Sequence, residues 1–162
     1  MGEDLTDLID RLDREAQFVF IDVQGTGNKE MVSAMSRADF VIIPMQAKTA
    51  DASVAVRAIS LLRQQEKLFR RSIPHAILFV RNSVLVPTKE ETRIRKSVVE
   101  SGLPSFRCSL NERTAFSHMF EQGLSVFELS NKETGNLQQA QDNALALAAE
   151  FLTTIAAATK EA

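Results

Sequence analysis

A chain of 162 residues, 44% hydrophobic and 25% charged, has the length and apolar content of one ordinary globular domain with a sizeable core. Its net charge of −2, without any long basic run, gives no bulk drive toward nucleic acid or anionic lipid, so any such site must be a local patch. A single cysteine, Cys108, excludes an internal disulfide framework; with no signal-peptide h-region and no apolar run near roughly 20 residues, a cytoplasmic protein without a membrane segment is expected.

Leu5, Leu8, Ile9 and Leu12 recur at helical spacing among charges, so residues 3–15 read as an amphipathic helix. The run Phe18-Val19-Phe20-Ile21-Asp22-Val23 is aromatic and β-branched, which predicts a strand covered on both faces in a parallel sheet. Met31, Ala34, Met35 and Ala38 line one side of a short helix, and residues 40–45 form a second buried strand, completing a β-α-β unit. Asp51 is placed as the cap of a helix with an apolar stripe of Val54, Ala55, Ala58, Leu61 and Leu62, ending in Lys67, Arg70 and Arg71, where cations suit the helix dipole.

Residues 76–80 give a third apolar run. Thr88-Lys89-Glu90-Glu91 is a capping-box pattern opening a helix with Ile94, Val98 and Val99, which Gly102 stops. Residues 105–108 read as a short fourth strand, Asn111 as the cap of a helix ended by Gly123, and residues 134–158 as a long helix on the sheet. This alternation predicts one α/β domain over residues 1–162, a three-layer parallel sheet with helices on both faces. Such sheets bind ligands beyond the carboxyl ends of their strands, which puts Asp22, Gln46 and Asn82 on the functional edge.

Each of these residues carries two readings. The Asp22 carboxylate would emerge where a phosphate, metal or attacking water lies, or it caps the next turn. Gly25 and Gly27 allow close approach to a ligand, or are turn glycines. Asn82 offers a donor and an acceptor to a purine edge, or is a turn residue. The clusters Lys67/Arg70/Arg71 and Arg93/Arg95/Lys96 grip nucleic-acid phosphates, or are solvated helix faces. His75 and His118 have no ligand partner, and Cys108, Ser109 and His118 show no nucleophile-base spacing, so a hydrolase triad and a zinc site are rejected. Nowhere does a Gly-x-x-x-x-Gly-Lys-Ser/Thr run occur to cradle phosphates.

Taken in order, residues 18–22 with Gly25, residues 38–46 with Asp51, residues 113–116 and the run Glu121-Gln122-Gly123-Leu124-Ser125-Val126-Phe127-Glu128 resemble the ParA/MinD class of deviant P-loop ATPases, nearest its ParA-type partition members. The resemblance covers residues 16–130 or so. It implies that Asp22 acts near a magnesium-bound water, that Gly25 lies by the γ-phosphate, that the 44–51 loop with Gln46 borders nucleotide and dimer interface, and that Asn82 contacts adenine. The family has Thr-Pro or a similar pair after the aspartate, where Val23-Gln24 stands here. Its lysine-bearing phosphate loop and first strand lie N-terminal to everything matched. That strand sits between those matched by residues 18–23 and 40–45, so the sheet is expected to lack its central strand.

The resemblance implies part of an ATPase that partitions or positions DNA through nucleotide-dependent dimerisation, with ATP and Mg2+ as ligands, a homodimer, and non-specific DNA and a partition adaptor as partners. Arg70, Arg71, Arg93, Arg95 and Lys96 are the DNA candidates. Without phosphate-loop amides and lysine, little or no ATP hydrolysis is expected of this chain. The alternative is a non-catalytic interaction module that keeps the dimer or DNA surface. A receiver-like or flavodoxin-like domain with Asp22 in an acidic pocket is a third reading, against which the 121–128 run argues.

Overall fold

The computed structural model describes residues 4–23, 29–83, 86–131 and 134–158. Their elements in chain order are α1 (Leu5–Glu15), α2 (Lys29–Arg37), β1 (Val41–Met45), α3 (Thr49–Phe69), β2 (His75–Asn82), α4 (Lys89–Glu100), β3 (Leu110–Asn111), α5 (Thr114–Gln122) and α6 (Leu137–Ala158). The three strands are parallel in the order β1-β2-β3, with Val41 level with His75 and Met45 level with Phe79.

Side-chain alternation divides the core into two layers. Ile43, Met45, Ile77 and Phe79 turn to one face, against Ala55 and Ile59 of α3 and Ile94 and Val98 of α4. Ala76 and Leu78 turn to the other with Phe106, where Ile42, Leu147 and Phe151 complete the packing. The α/β architecture with helices on both faces of a parallel sheet is therefore as expected. A third cluster, Met31, Met35, Leu62 and Ile73, ties α2 to α3.

Local chemistry sets the helix ends. Thr88 caps α4 by accepting the Glu91 N–H at 3.0 Å. Gly123 closes α5 in the left-handed region at φ 65°, where its missing Cβ avoids a clash. Arg70 closes α3 in the same conformation at φ 53°, its N–H bonded to the Glu66 carbonyl.

Four local expectations are corrected. Residues 18–23 join no ladder, because β-propensity extends a chain but does not supply a neighbour to pair with. Residues 105–108 make one bridge, Ile77 to Ser105, and the ladder resumes only at β3. Between them the Phe106 N–H bonds to the Ile77 carbonyl at 2.9 Å, and the next two N–H groups, of Arg107 and Cys108, go to the Glu150 carboxylate of α6, each at 2.7 Å, rather than to β2. Asp51 is not the cap of α3: the helix starts at Thr49 after Lys48, and Asp51 reaches back from the first turn to the Gln46 N–H at 2.9 Å. Asn111 belongs to β3 and gives its N–H to Asn143 Oδ1 at 3.0 Å, leaving Arg113 at the N-cap of α5.

Candidate functional site

The carboxyl ends of β1 and β2 bring Gln46 and Asn82 to one edge of the sheet. Asn82 is turned inward by a bulge. Val80 pairs with Leu110 and Asn82 with Asn111, so β2 carries one extra residue, Arg81, at φ 52°. A left-handed arginine costs roughly 1–2 kcal/mol, and backbone strain of this kind collects at functional positions. The bulge leaves Arg81 exposed and Asn82 buried, at 5% exposure.

The Asn82 carbonyl accepts the Glu112 N–H at 3.0 Å, but its side-chain Nδ2 finds no partner among the described residues. A buried amide donor left unpaired costs about 1–3 kcal/mol, so a group held this way calls for an acceptor beyond the described residues. The Arg113 Nε, one residue beyond Glu112, is likewise buried without a partner among the described residues.

The loop after β1 is pinned. Besides the Asp51 bond to Gln46, Glu90 Oε1 accepts the Thr49 N–H at 3.0 Å and its hydroxyl at 2.6 Å, while Arg93 Nη2 donates to that hydroxyl oxygen at 3.1 Å. The Thr49 hydroxyl, then its N–H, hold the Glu90 carboxyl below its ordinary value. The half-buried Gln46 is thus carried on a loop braced from both sides.

Asp22 is exposed and sits in the unladdered 18–23 segment, while Gly25 lies outside the described residues. The structure therefore brings together two of the four nucleotide candidates, Gln46 and Asn82. Among the described residues no group of three or more His, Cys, Asp or Glu is placed to hold a metal ion, and no helix is long and apolar enough to cross a membrane.

The basic clusters divide by what each cation touches. Arg71 Nη2 donates to the carbonyls of Met35, Ser36 and Ala38 at 3.1, 3.2 and 2.8 Å, closing the C-terminus of α2. Arg95 gives Nε to Glu91 at 3.1 Å and Nη2 to Ser109 Oγ at 2.9 Å, with its guanidinium 4.3 Å from the centre of the Phe79 ring. Both are engaged inside the fold. Arg70 and Arg93 are exposed, and Lys96 pairs with the exposed Glu100, at 3.6 Å.

Sequence reasoning read Glu90 only as part of a capping box, missed Glu150, and took Arg113 only as part of the 113–116 stretch. The first two act on residues more than 40 positions away in the chain, which no local pattern reveals. The spacing of Glu91 and Arg95 by four on a helix was readable as a pair.

Residues 13–162 match the family model described as VirC1 protein. Protein ParA of Rhizobium radiobacter is 33% identical over 136 residues, which make up 84% of this chain and 61% of that protein. The solved structure of Cyanthece apo McdA superposes with a TM-score of 0.68 at 19% identity, over 87% of this chain and 57% of that one, a likeness of fold. The chain spans about three fifths of the length of the relatives it matches.

Proposed function

Since the chain belongs to the VirC1 protein family, within the ParA/MinD superfamily of P-loop ATPases, we propose that it is the base-reading part of a cytoplasmic partition-type ATPase whose nucleotide-dependent dimerisation positions DNA. The observation that carries this reading is the buried Asn82 amide at the carboxyl edge of the sheet, whose Nδ2 has no partner among the described residues. An amide donor there suits an acceptor nitrogen of a purine ring.

The residues present fit the base end of ATP. Asn82 would hold the purine edge, the braced loop would present Gln46 to the nucleotide or to a second subunit, and Asp22 would orient a magnesium-bound water. A bound magnesium nucleotide would supply the phosphoanhydride and the metal charge. For the phosphates the fit stops, since the sequence contains no glycine-rich loop with a lysine. The chain by itself therefore binds the base weakly and hydrolyses ATP little or not at all. Non-specific DNA, if bound, meets the exposed Arg70, Arg93 and Lys96 rather than Arg71 or Arg95.

The test is NMR titration of adenosine, a ligand that needs no phosphate loop, beside calorimetry with MgATP. Adenosine is expected to shift the Asn82 side-chain amide signals while uridine leaves them in place, with MgATP binding weakly and without turnover. Unmoved Asn82 signals would transfer the reading to a non-catalytic interaction module, and turnover by this chain would overturn the inactive assignment.

A further inference from the structure

α3 and α4 pack on the same face of the sheet, and the packing between them is incomplete. Ala52 and Ala55 of α3 do not fill the space in front of Ile94 and Val98 of α4, and a cavity of about 90 Å³ remains, with Ile59 and Ile77 also in its wall. That is several times the room one water needs, yet every lining residue except Ser97 and Ser101 is apolar, so water finds few partners there. Ile77 is 1% exposed and Val56, in the same wall, 56%, so the cavity runs from the core out to the surface.

The charge left free beside that mouth is positive. Every carboxylate on α3 and α4 is engaged: Asp51 with the Gln46 N–H, Glu66 with the Ile73 N–H, Glu90 with Thr49, Glu91 with Arg95 and Glu100 with Lys96. Arg63 and Lys67 follow Val56 by seven and eleven residues, which brings them back to the same side of α3, roughly 10 and 16 Å along its axis. Both are exposed, and neither has a hydrogen-bond or ionic partner among the described residues.

We propose that the furrow between α3 and α4 is a docking site for an acidic segment of another protein, which seats one branched aliphatic side chain in the cavity and sets carboxylates against Arg63 and Lys67. An apolar pocket of that size beside unpaired cations matches a segment with a single aliphatic anchor and an acidic flank. Nucleic acid could use the cations but brings nothing aliphatic for the cavity, and no aromatic ring lines the wall for a base to stack on. The chain's own acidic amphipathic helix is a poor occupant, because the apolar side of α1 is already packed, with Ile9 buried and Asp10 bound to Arg37 of α2.

Methyl and amide NMR of the whole chain tests this with soluble helical peptides of alanine and glutamate: one with a central leucine, a twin with alanine in its place, and a twin with lysine for every glutamate. The leucine peptide is expected to shift the Ile94 and Val98 methyls and the Arg63 and Lys67 amides, the alanine twin to leave the methyls in place, and the lysine twin to bind at least about tenfold more weakly. Ser97→Phe, at an exposed position in the wall, should plug the mouth and remove the methyl shifts. Arg63→Glu with Lys67→Glu, both exposed, should turn the preference over to the lysine twin. Methyls unmoved by the leucine peptide, or equal binding of the leucine peptide and its lysine twin, would overturn the proposal. So would a short DNA duplex that shifts the Arg63 and Lys67 amides while no peptide moves the methyls, which gives the cations to nucleic acid, and methyl shifts that grow with protein concentration alone, which make the occupant a second copy.

Discussion

Lys96 and Arg95 are adjacent cations on α4 with opposite fates, and the difference is what each side chain crosses. The Lys96 ammonium extends into solvent beside Glu100, with side-chain exposures of 73% and 64%. Exposed pairs of that kind contribute about 0–1 kcal/mol. Arg95 lies over Phe79 and bonds to Glu91, which is 7% exposed, so its removal strips a buried carboxylate of its partner and uncovers a ring. Arg95→Ala is expected to lower the unfolding free energy by about 2 kcal/mol, with Arg95 partial exposure keeping the loss below that of a fully buried pair. Lys96→Ala should change it by less than about 0.5 kcal/mol. Urea unfolding of the two variants measures the contrast, and Arg95→Lys should recover little, because an ammonium cannot stack flat on the ring while reaching both Glu91 and Ser109.

α4 begins where its sequence says it should. Thr88 supplies the cap, so Thr88→Ala is expected to cost about 1 kcal/mol and Thr88→Ser almost nothing, read as shifts in urea midpoint. Elements of this sort were legible because their cause is local: the helical periods of α1, α2, α4 and α6, the apolar runs of β1 and β2, and Gly123 as a stop. Asn82 was legible as a strand-end amide, but its burial was not, since the bulge at Arg81 that turns it inward is a matter of pairing with β3. Residues 18–23 have the composition of a buried strand and lack the one thing composition cannot supply, a paired neighbour. The same non-local logic applies to the expected strand at 105–108, where a glutamate some 40 residues downstream accepts two of its N–H groups.

Across the molecule, several carboxylates hold backbone N–H groups, and together they set its response to acid. Burial alone would raise the Glu150 carboxyl, but the N–H groups of Arg107 and Cys108 outweigh it and hold the group below its ordinary value of 4.5. Glu90 and Glu128 are lowered too, by the hydroxyl and N–H of Thr49 and of Ser125 respectively. A carboxylate whose folded value lies below its unfolded value stabilises the fold fully above the unfolded value, and that contribution disappears as pH falls through the folded one. The urea midpoint should therefore stay level from about pH 7 to pH 5 and fall steadily below 4.5. Glu90 and Glu128 are open to solvent, so salt at about 0.5 M should screen their share. The Glu150 share should survive salt, because two short bonds fasten α6 to the end of the sheet in a partly covered position. Glu150→Gln keeps one acceptor and loses the charge, so it should lower the midpoint at pH 7 while flattening the acid limb measured in salt. An acid limb as steep in Glu150→Gln as in the parent would place the acid-sensitive contact elsewhere, and a midpoint that rose on acidification would reverse the sign for the whole set.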